Sequence, residues 1–328
     1  MRQSFPKVGI GKLCALFGVT RQAYYEAQMQ EQKSSIANCL VLGFVKQYRE
    51  EIPLVGTRKL YHLIGPQLQS HGIKMGRDQL FRLLGFHGLL LRRRRRIVKT
   101  TDSHHWLKKY PNLTREMVIT GVEQLWVSDI TYVRTLQGFA YLSLITDAYS
   151  RKIVGYSLYP TLEATGCIEA LQMAIASRRY ESSFNLIHHS DRGIQYCSAA
   201  YIDLLGRDHI DISMTQSGSP YENALAERVN GIIKNEFFSK SIYKNYQHAK
   251  MQIARNINTY NSIRPHASVD FMTPDMAHQN IGELKKRWKK YPSKYKVGNE
   301  NEFNKASAES IGIKKQESIE GIPAILSG

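Results

Sequence analysis

The apolar positions of the first 96 residues recur at helical spacing. Ile10, Leu13, Leu16 and Phe17 fall three or four apart, Gly18 breaks the run, and Thr20 can cap a second helix through Tyr24 and Tyr25. Helix, glycine turn and helix outline a helix-turn-helix unit. A second unit follows: Thr57 can cap RKLYHLI, Gly65 and Pro66 interrupt, and QLFRLL runs to Gly85 as a C-terminal stop. From residue 120 the period changes. LWVSDITYV, GFAYLSLITDAYS and KIVGYSLYP are closely spaced runs of β-branched and aromatic residues, with Gly138 and Ser150 in the connections. They predict an antiparallel three-strand meander. Residues 163 to 180 return to helical spacing (Ile168, Leu171, Ala174, Ile175). FNLIHHS reads as a strand ending at Asp191, AAYIDLLGRD as a helix, DISM as a last strand and PYENALAERVNGIIKNEF as a long helix. A meander followed by alternating helix and strand predicts an α/β fold, a mixed sheet flanked by helices, behind an all-α region. A helical stretch around residues 245 to 260 and the loop NSIRPH close this domain near residue 280.

Five segments result: 1–32, helix-turn-helix-like; 33–96, a second helical, DNA-binding-like region; 97–119, a basic linker; 120–280, the α/β core; and 281–328, a basic tail expected to be disordered. The net charge of +17, from 45 Lys and Arg against 28 Asp and Glu, favours a polyanionic partner, most simply nucleic acid, and an anionic membrane surface fits the sign equally well. Arg92, Arg93, Arg94, Arg95 and Arg96 form an unbroken run beside GLLL. Such a run is a solvated linker that can also hold phosphates, giving affinity without sequence information. No apolar run approaches the ~18 residues that span a bilayer, and MRQSFPKVGI lacks the apolar core of a secretory signal. Cys14, Cys39, Cys167 and Cys197 form no CxxC pair, which argues against a disulfide framework or a Cys-built zinc site. The expectation is a reduced cytoplasmic protein, associated with the nucleoid when bound to DNA.

Three carboxylates draw the chemistry together. Asp129 sits inside the first strand run, between Trp126, Val127, Ile130 and Tyr132, where propensity and desolvation both disfavour it unless a cation or another partner is present. Asp191 closes the fourth strand, and strand ends of open sheets collect ligands. Glu227 lies on the last long helix, for which Ser219 and Pro220 supply an N-cap and first residue and Glu222 a capping box. Asn223, Glu227, Asn230 and Lys234 then share one helical stripe. Taken alone, that stripe is a solvated helix face. With both aspartates it becomes a site for Mg²⁺, for which Mn²⁺ can substitute; two such ions support in-line phosphoryl transfer. Asp147 and Asp203 fit a strand end and an exposed helix face. His188 and His189 are candidate ligands or bases, one of them packing in the core.

The 35 residues from 192 to 226 separate Asp191 from Glu227, the spacing that names the D,D-35-E group of retroviral integrases and bacterial transposases. The strings WVSDITYV, FAYLSLITDAYSRKIVGYSL, HHSDRGIQYCS, SMTQSGSPYENALAERVNGIIKNEF and YNSIRPHASVDFMTP resemble the second-reading-frame (OrfB) transposase of a large family of bacterial insertion sequences, over roughly residues 10 to 280. The resemblance implies a ribonuclease H-like core with Asp129, Asp191 and Glu227 as the metal-binding catalytic triad. It implies DNA contacts by Lys234, and Asn223 and Asn230 on the same stripe are candidate contacts too. Mg²⁺-dependent cleavage at the element's ends would expose 3′-hydroxyls that attack target DNA. A copy-out, paste-in route, a homo-oligomer on double-stranded DNA and a frameshift fusion with an upstream-frame product complete what the family implies. The family often carries Asp where this chain has Glu222, which keeps the charge, and the His/Cys zinc module of retroviral integrases has no counterpart here. A nuclease that only hydrolyses and a DNA-binding regulator without catalysis are the competing readings. The intact triad, its spacing and Lys234 weigh against the second of these.

Overall fold

The computed structural model describes residues 8–91, 107–179, 185–216, 222–238 and 242–285. The helical region opens with α1 (Ile10–Leu16) and the long α2 (Arg21–Glu51). Gly18 takes a φ of 66°, and Thr20 Oγ1 accepts from the Ala23 N–H at 3.0 Å, as the spacing predicts. Helix α2 runs unbroken through residues 32 and 33, so both helix-turn-helix-like segments share it. Helices α3 (Thr57–Leu63), α4 (Gly65–Ser70) and α5 (Arg77–Phe86) pack Leu60, Ile64, Leu80 and Leu84 against Val41 and Val45 of α2. Two expected helix ends move. Thr57 is the first helical residue and buried, with Gly56 at the cap. Gly85 lies inside α5, and Gly88, at a φ of 65°, stops the chain by letting the Leu89 N–H return to the Leu84 carbonyl at 2.7 Å.

The core contains β1 (Leu125–Thr135), β2 (Gly138–Asp147) and β3 (Ile153–Tyr159) as the predicted meander, then α6 (Ala164–Ala176), β4 (Ile187–Ser190), α7 (Ala199–Arg207) and β5 (Asp211–Met214). Strand order is β3-β2-β1-β4-β5, with β4 parallel to β1 and β5 parallel to β4. This mixed sheet flanked by helices is the ribonuclease H-like arrangement. Helix α8 (Ala224–Ile232) continues into a π-helical turn, Ile233–Phe237, and α9 (Tyr246–Ser262) and α10 (Pro274–Ala277) follow.

Alternation along the strands divides the core between two faces. Trp126 and Ile145 pack with Cys167, Ala170 and Leu171 of α6 and Tyr201 and Leu205 of α7. Val133, Leu142, Leu144 and Leu158 pack with Val229 of α8, Ile233 of the π turn and Ile253 and Ile257 of α9. Gly155 lets β3 touch α6 directly, since a Cβ there would lie 2.1 Å from the Ala170 carbonyl oxygen. The α2–α5 region joins the second face, and its buried side chains are continuous with those of α8 and α9.

The last helix starts later than expected. Ser219 and Pro220 lie outside the described residues, and Asn223, with non-helical φ and ψ of −119° and 28°, precedes the first helical residue Ala224. Glu222 is therefore not in a capping box. Its carboxylate accepts instead from the Gln216 N–H at 2.6 Å and from Arg115 at 3.1 Å. The reason is tertiary: Asn223 is tied to β1 through its side chain, which fixes where the helix can begin.

Candidate active site

Strand register brings the aspartates level. Val127 pairs with His189 in the parallel β1–β4 ladder, so two residues further on each chain stand Asp129 and Asp191. Strand β4 ends at Ser190, and the Asp191 carboxylate organises the turn that follows by accepting the Gly193 N–H at 3.0 Å. A Cβ on Gly193 would crowd that same oxygen at 3.0 Å. Helix α8 supplies the third carboxylate. Asn223 donates from Nδ2 to the Ser128 carbonyl at 2.8 Å, and Asn230 donates from Nδ2 to Asp129 Oδ2 at 2.9 Å. These two buried amides fasten one face of α8 to β1, and Glu227 sits between them on that face.

The electrostatics follow from the crowding. Burial, then the Asp191 charge, pushes the Asp129 carboxyl up to about 7, with Glu227 adding to the rise and the Asn230 amide opposing it. Lys234, half-buried on the π turn, is lowered by burial and held up by Asp129. Asn230 Oδ1 is buried without a hydrogen-bond partner. A carboxyl raised chiefly by burial and then by two neighbouring acids, beside an orphaned amide oxygen, is an oxygen-rich environment of the kind that suits a hard divalent cation. Among the described residues no three His, Cys, Asp or Glu side chains stand close enough together to hold a metal ion as they are.

The integrase core domain model matches residues 120–220, and a second model of the same description matches 208–274. The transposase for insertion sequence element IS629 of Shigella sonnei is 32% identical over 263 residues, covering 78% of this chain and 86% of that protein. The 31 kDa protein of insertion element IS600, also from Shigella sonnei, is 35% identical over 269 residues, covering 80% of this chain and 96% of that one. The chain belongs to the insertion-sequence transposases. Among solved structures, the HTLV-2 integrase catalytic core in complex with magnesium covers 48% of this chain and 98% of its own, at 19% identity and a TM-score of 0.38.

Within this transposase core the other candidate residues take distinct places. Asn223 and Asn230 are turned inward, where they act on β1 and Asp129. His188 is buried and neutral, its pKa pushed by burial down to about 3, and its Nε2 meets Ser128 Oγ at 2.6 Å and Tyr201 Oη at 2.9 Å. His189 meets Ser213 Oγ at 2.8 Å and the Glu222 carbonyl at 3.1 Å. Both histidines thus bind neighbouring elements together inside the fold. Asp147 ends β2 and takes the Glu123 N–H, the Ser150 N–H and the Ser150 hydroxyl, organising a turn. Asp203 is exposed on α7, as expected. Arg92, Arg93, Arg94, Arg95 and Arg96 lie outside the described residues, as does the chain beyond Lys285.

One cluster carries no sequence signal. Glu236, on the π turn two residues beyond Lys234, accepts both guanidinium arms of Arg264 at 2.8 Å and Lys59 Nζ of α3 at 2.8 Å. Its backbone carbonyl also takes the Leu54 N–H at 2.9 Å. Burial pushes the Glu236 carboxyl up, but Arg264 and Lys59 outweigh it and hold the carboxyl below its ordinary range. The partners lie 177 and 28 residues away, so no local pattern pairs them.

Proposed function

We propose that this chain is a DNA transposase that cleaves the ends of its insertion sequence and joins the 3′-hydroxyls to target DNA, using Asp129, Asp191 and Glu227 as the metal-holding catalytic triad. The observation that supports this is that a strand-end aspartate and a helix glutamate both lie near enough to an internal strand aspartate for their charges, after burial, to raise Asp129 to about 7. Asp129, Asp191 and Glu227 would hold Mg²⁺, or Mn²⁺ in its place. Bound there, two divalent ions supply a lowered water or hydroxyl pKa and stabilise the leaving oxygen. The chain's own contribution is positional. Asn230 orients Asp129, Asn223 fixes the start of α8, and Gly193 lets the Asp191 turn close tightly. Lys234 brings a cation to the rim, where a DNA phosphate can approach. Family resemblance adds an upstream-frame product as fusion partner, a homo-oligomer on DNA, and phosphate contacts by Arg92 to Arg96.

The test is strand joining on element-end DNA with Mg²⁺. Asp191→Asn and Glu227→Gln are each expected to abolish joining while DNA affinity stays near wild type, because metal ligation and phosphate contacts are separate. Joining that persists in both variants overturns the triad. Cleavage without joining in the wild-type chain would favour the hydrolytic reading instead.

A further inference from the structure

Strand β5 forms an edge of the sheet, with β4 on its other side. The segment 107–119, expected as part of a basic linker, is stitched to that edge. The Met214 N–H donates to the Pro111 carbonyl at 3.2 Å, and the Leu113 N–H donates to Ser213 Oγ at 2.9 Å. Leu107 and Tyr110 pack on the cluster of Trp126 and Tyr201. Further along, Met117 and Ile119 join a cluster that contains Leu125, Val127 and Ala226, the last on α8. Covering β5 in this way shields the backbone groups of an edge strand. It also brings the segment to the helix that carries Glu227.

Two lines of contact run from the segment to the start of α8. The first passes through His189. Ser213 Oγ, which accepts from Leu113, stands 2.8 Å from His189 Nδ1, and His189 Nε2 stands 3.1 Å from the Glu222 carbonyl oxygen. A carbonyl only accepts, so Nε2 carries the proton, and in the neutral ring Nδ1 takes the Ser213 hydroxyl. Every bond then points one way, from Leu113 to Ser213 to His189 to Glu222. The second line is direct. The Arg115 guanidinium donates to Glu222 Oε1 at 3.1 Å, while Glu222 Oε2 accepts from the Gln216 N–H at 2.6 Å. Glu222 is thus held by its carbonyl and its carboxylate together, beside Asn223, whose amide is tied to β1. The Glu227 N–H closes the first turn of α8 on the Asn223 carbonyl at 3.2 Å. Residues 222 and 223 therefore set where the Glu227 backbone lies, one helical turn on.

We infer that residues 107–119 are a strap that positions Glu227, with His189 and Arg115 as positioning residues acting through Glu222. The inference rests on Glu227 holding metal together with Asp129 and Asp191. Both nitrogens of His189 are engaged inside the fold, so its task is neither metal ligation nor proton transfer. The leverage is large for so few bonds, since a misplacement of about 1 Å at a reacting group costs about 100-fold in rate. The chain between the helical region and the core is then a part of the site and not a tether.

The full chain is assayed for joining of element-end DNA, for DNA affinity in Ca²⁺ and, without DNA, for the shift of its urea midpoint by Mn²⁺. His189→Asn and His189→Gln are the deciding pair. Asparagine keeps an acceptor near Ser213 and gives up the reach to Glu222, whereas glutamine keeps a donor at the Nε2 position. His189→Asn should lower joining by about ten-fold and shrink the Mn²⁺ shift, with DNA affinity within about two-fold of wild type. His189→Gln should recover at least about half of both joining and shift. The Arg115 side chain is 60% exposed, so its loss costs the fold little. Arg115→Ala should lower joining by about two- to five-fold, the range open to an exposed ion pair, with DNA affinity again nearly kept. Equal joining and equal Mn²⁺ shifts in the Asn and Gln variants, whether both match wild type or both fall, overturn the strap. So does a loss in Arg115→Ala that merely follows DNA affinity, which would make Arg115 a phosphate contact. In each of those outcomes wild type still joins strands and gains stability from Mn²⁺, so the triad stands. A wild-type chain that does neither overturns the triad and the strap together.

Discussion

Asp129→Asn separates the cost of the Asp129 carboxylate from its proposed use. In the metal-free protein the Asp129 carboxyl titrates at about 7, against an ordinary 3.8, chiefly because of burial and next because of Asp191. Between those two values the folded chain holds a proton that the unfolded chain has released. Stability therefore falls as pH rises from about 4 to about 7 and stays low above that. About three pH units at 1.36 kcal/mol each set an upper figure of ~4 kcal/mol. Asparagine removes the charge and keeps the shape, so at pH 8 the variant should be more stable than wild type by ~1–4 kcal/mol, and at pH 4 nearly equal to it. Chemical denaturation in EDTA at the two pH values measures the difference. Adding Mn²⁺ should then raise wild-type stability at pH 8 and leave the variant almost unmoved, because bound ligand stabilises by mass action only where a site exists. A variant no more stable than wild type at pH 8 would refute the claim that Asp129 is held against an unrelieved penalty. Equal Mn²⁺ stabilisation of both chains would place the ion elsewhere.

Other perturbations test the supports of the site. Asn230→Ala should keep the fold but, on the proposed role of Asp129, lower joining by an order of magnitude or more, since misplacing a reacting group's ligand by about 1 Å is costly; DNA affinity should hold, and an equal fall in DNA affinity would make Asn230 a contact rather than a positioning residue. Glu236→Gln leaves Arg264 and Lys59 with an uncompensated charge, at ~3–5 kcal/mol by urea denaturation. Because Glu236 is held below its ordinary value, its contribution is present above the unfolded carboxyl's pKa and fades as pH falls through the folded one, so the variant's deficit should shrink in acid. Gly155→Ala drives a methyl into the Ala170 carbonyl and should destabilise by at least ~1–3 kcal/mol, measured as a drop in Tm, unless β3 and α6 separate easily. Alanines at Arg92 to Arg96 should weaken binding to all DNA sequences alike and flatten its salt dependence; a sequence-selective loss in a gel-shift titration contradicts that.

Elements whose signal is local were legible in the sequence. The meander came from strand-length runs of β-branched and aromatic residues, and β1, β2 and β3 fall on them. Thr20 capped α2 as its spacing required. What failed depends on contacts from afar. Ser219, Pro220 and Glu222 compose a sound helix start, yet α8 begins at Ala224 because the Asn223 amide is committed to the Ser128 carbonyl, 95 residues back. Gly85 and Gly88 are both plausible stops, and only the path of Leu89 back to Leu84 selects the second. The π turn at Ile233–Phe237 is invisible in composition, though it places Lys234 toward Asp129 and Glu236 toward Lys59 and Arg264.

The same division explains the site. Of the three proposed acids only Asp129 violates a local rule, lying inside a strand; Asp191 at a strand end and Glu227 on a polar helix stripe stood out only through their spacing and the family resemblance. The amides were ambiguous, since a polar stripe predicts solvent or ligand equally well. Burial settles what they touch, and it also joins two distant functions. Helix α8 and its π turn carry Glu227 on the side of β1 and Glu236 on the side of α3. A displacement of the α2–α5 region that loosened Lys59 from Glu236 would act on the same rigid segment that sets Glu227 and Lys234. If the helical region responds to DNA, the route from Glu236 to Glu227 runs through the π turn and the second half of α8. Lys59→Ala tests it: joining should fall while the unfolding midpoint moves less than for Glu236→Gln, because Arg264 still neutralises the glutamate. Unchanged joining in that variant would leave the contact purely structural.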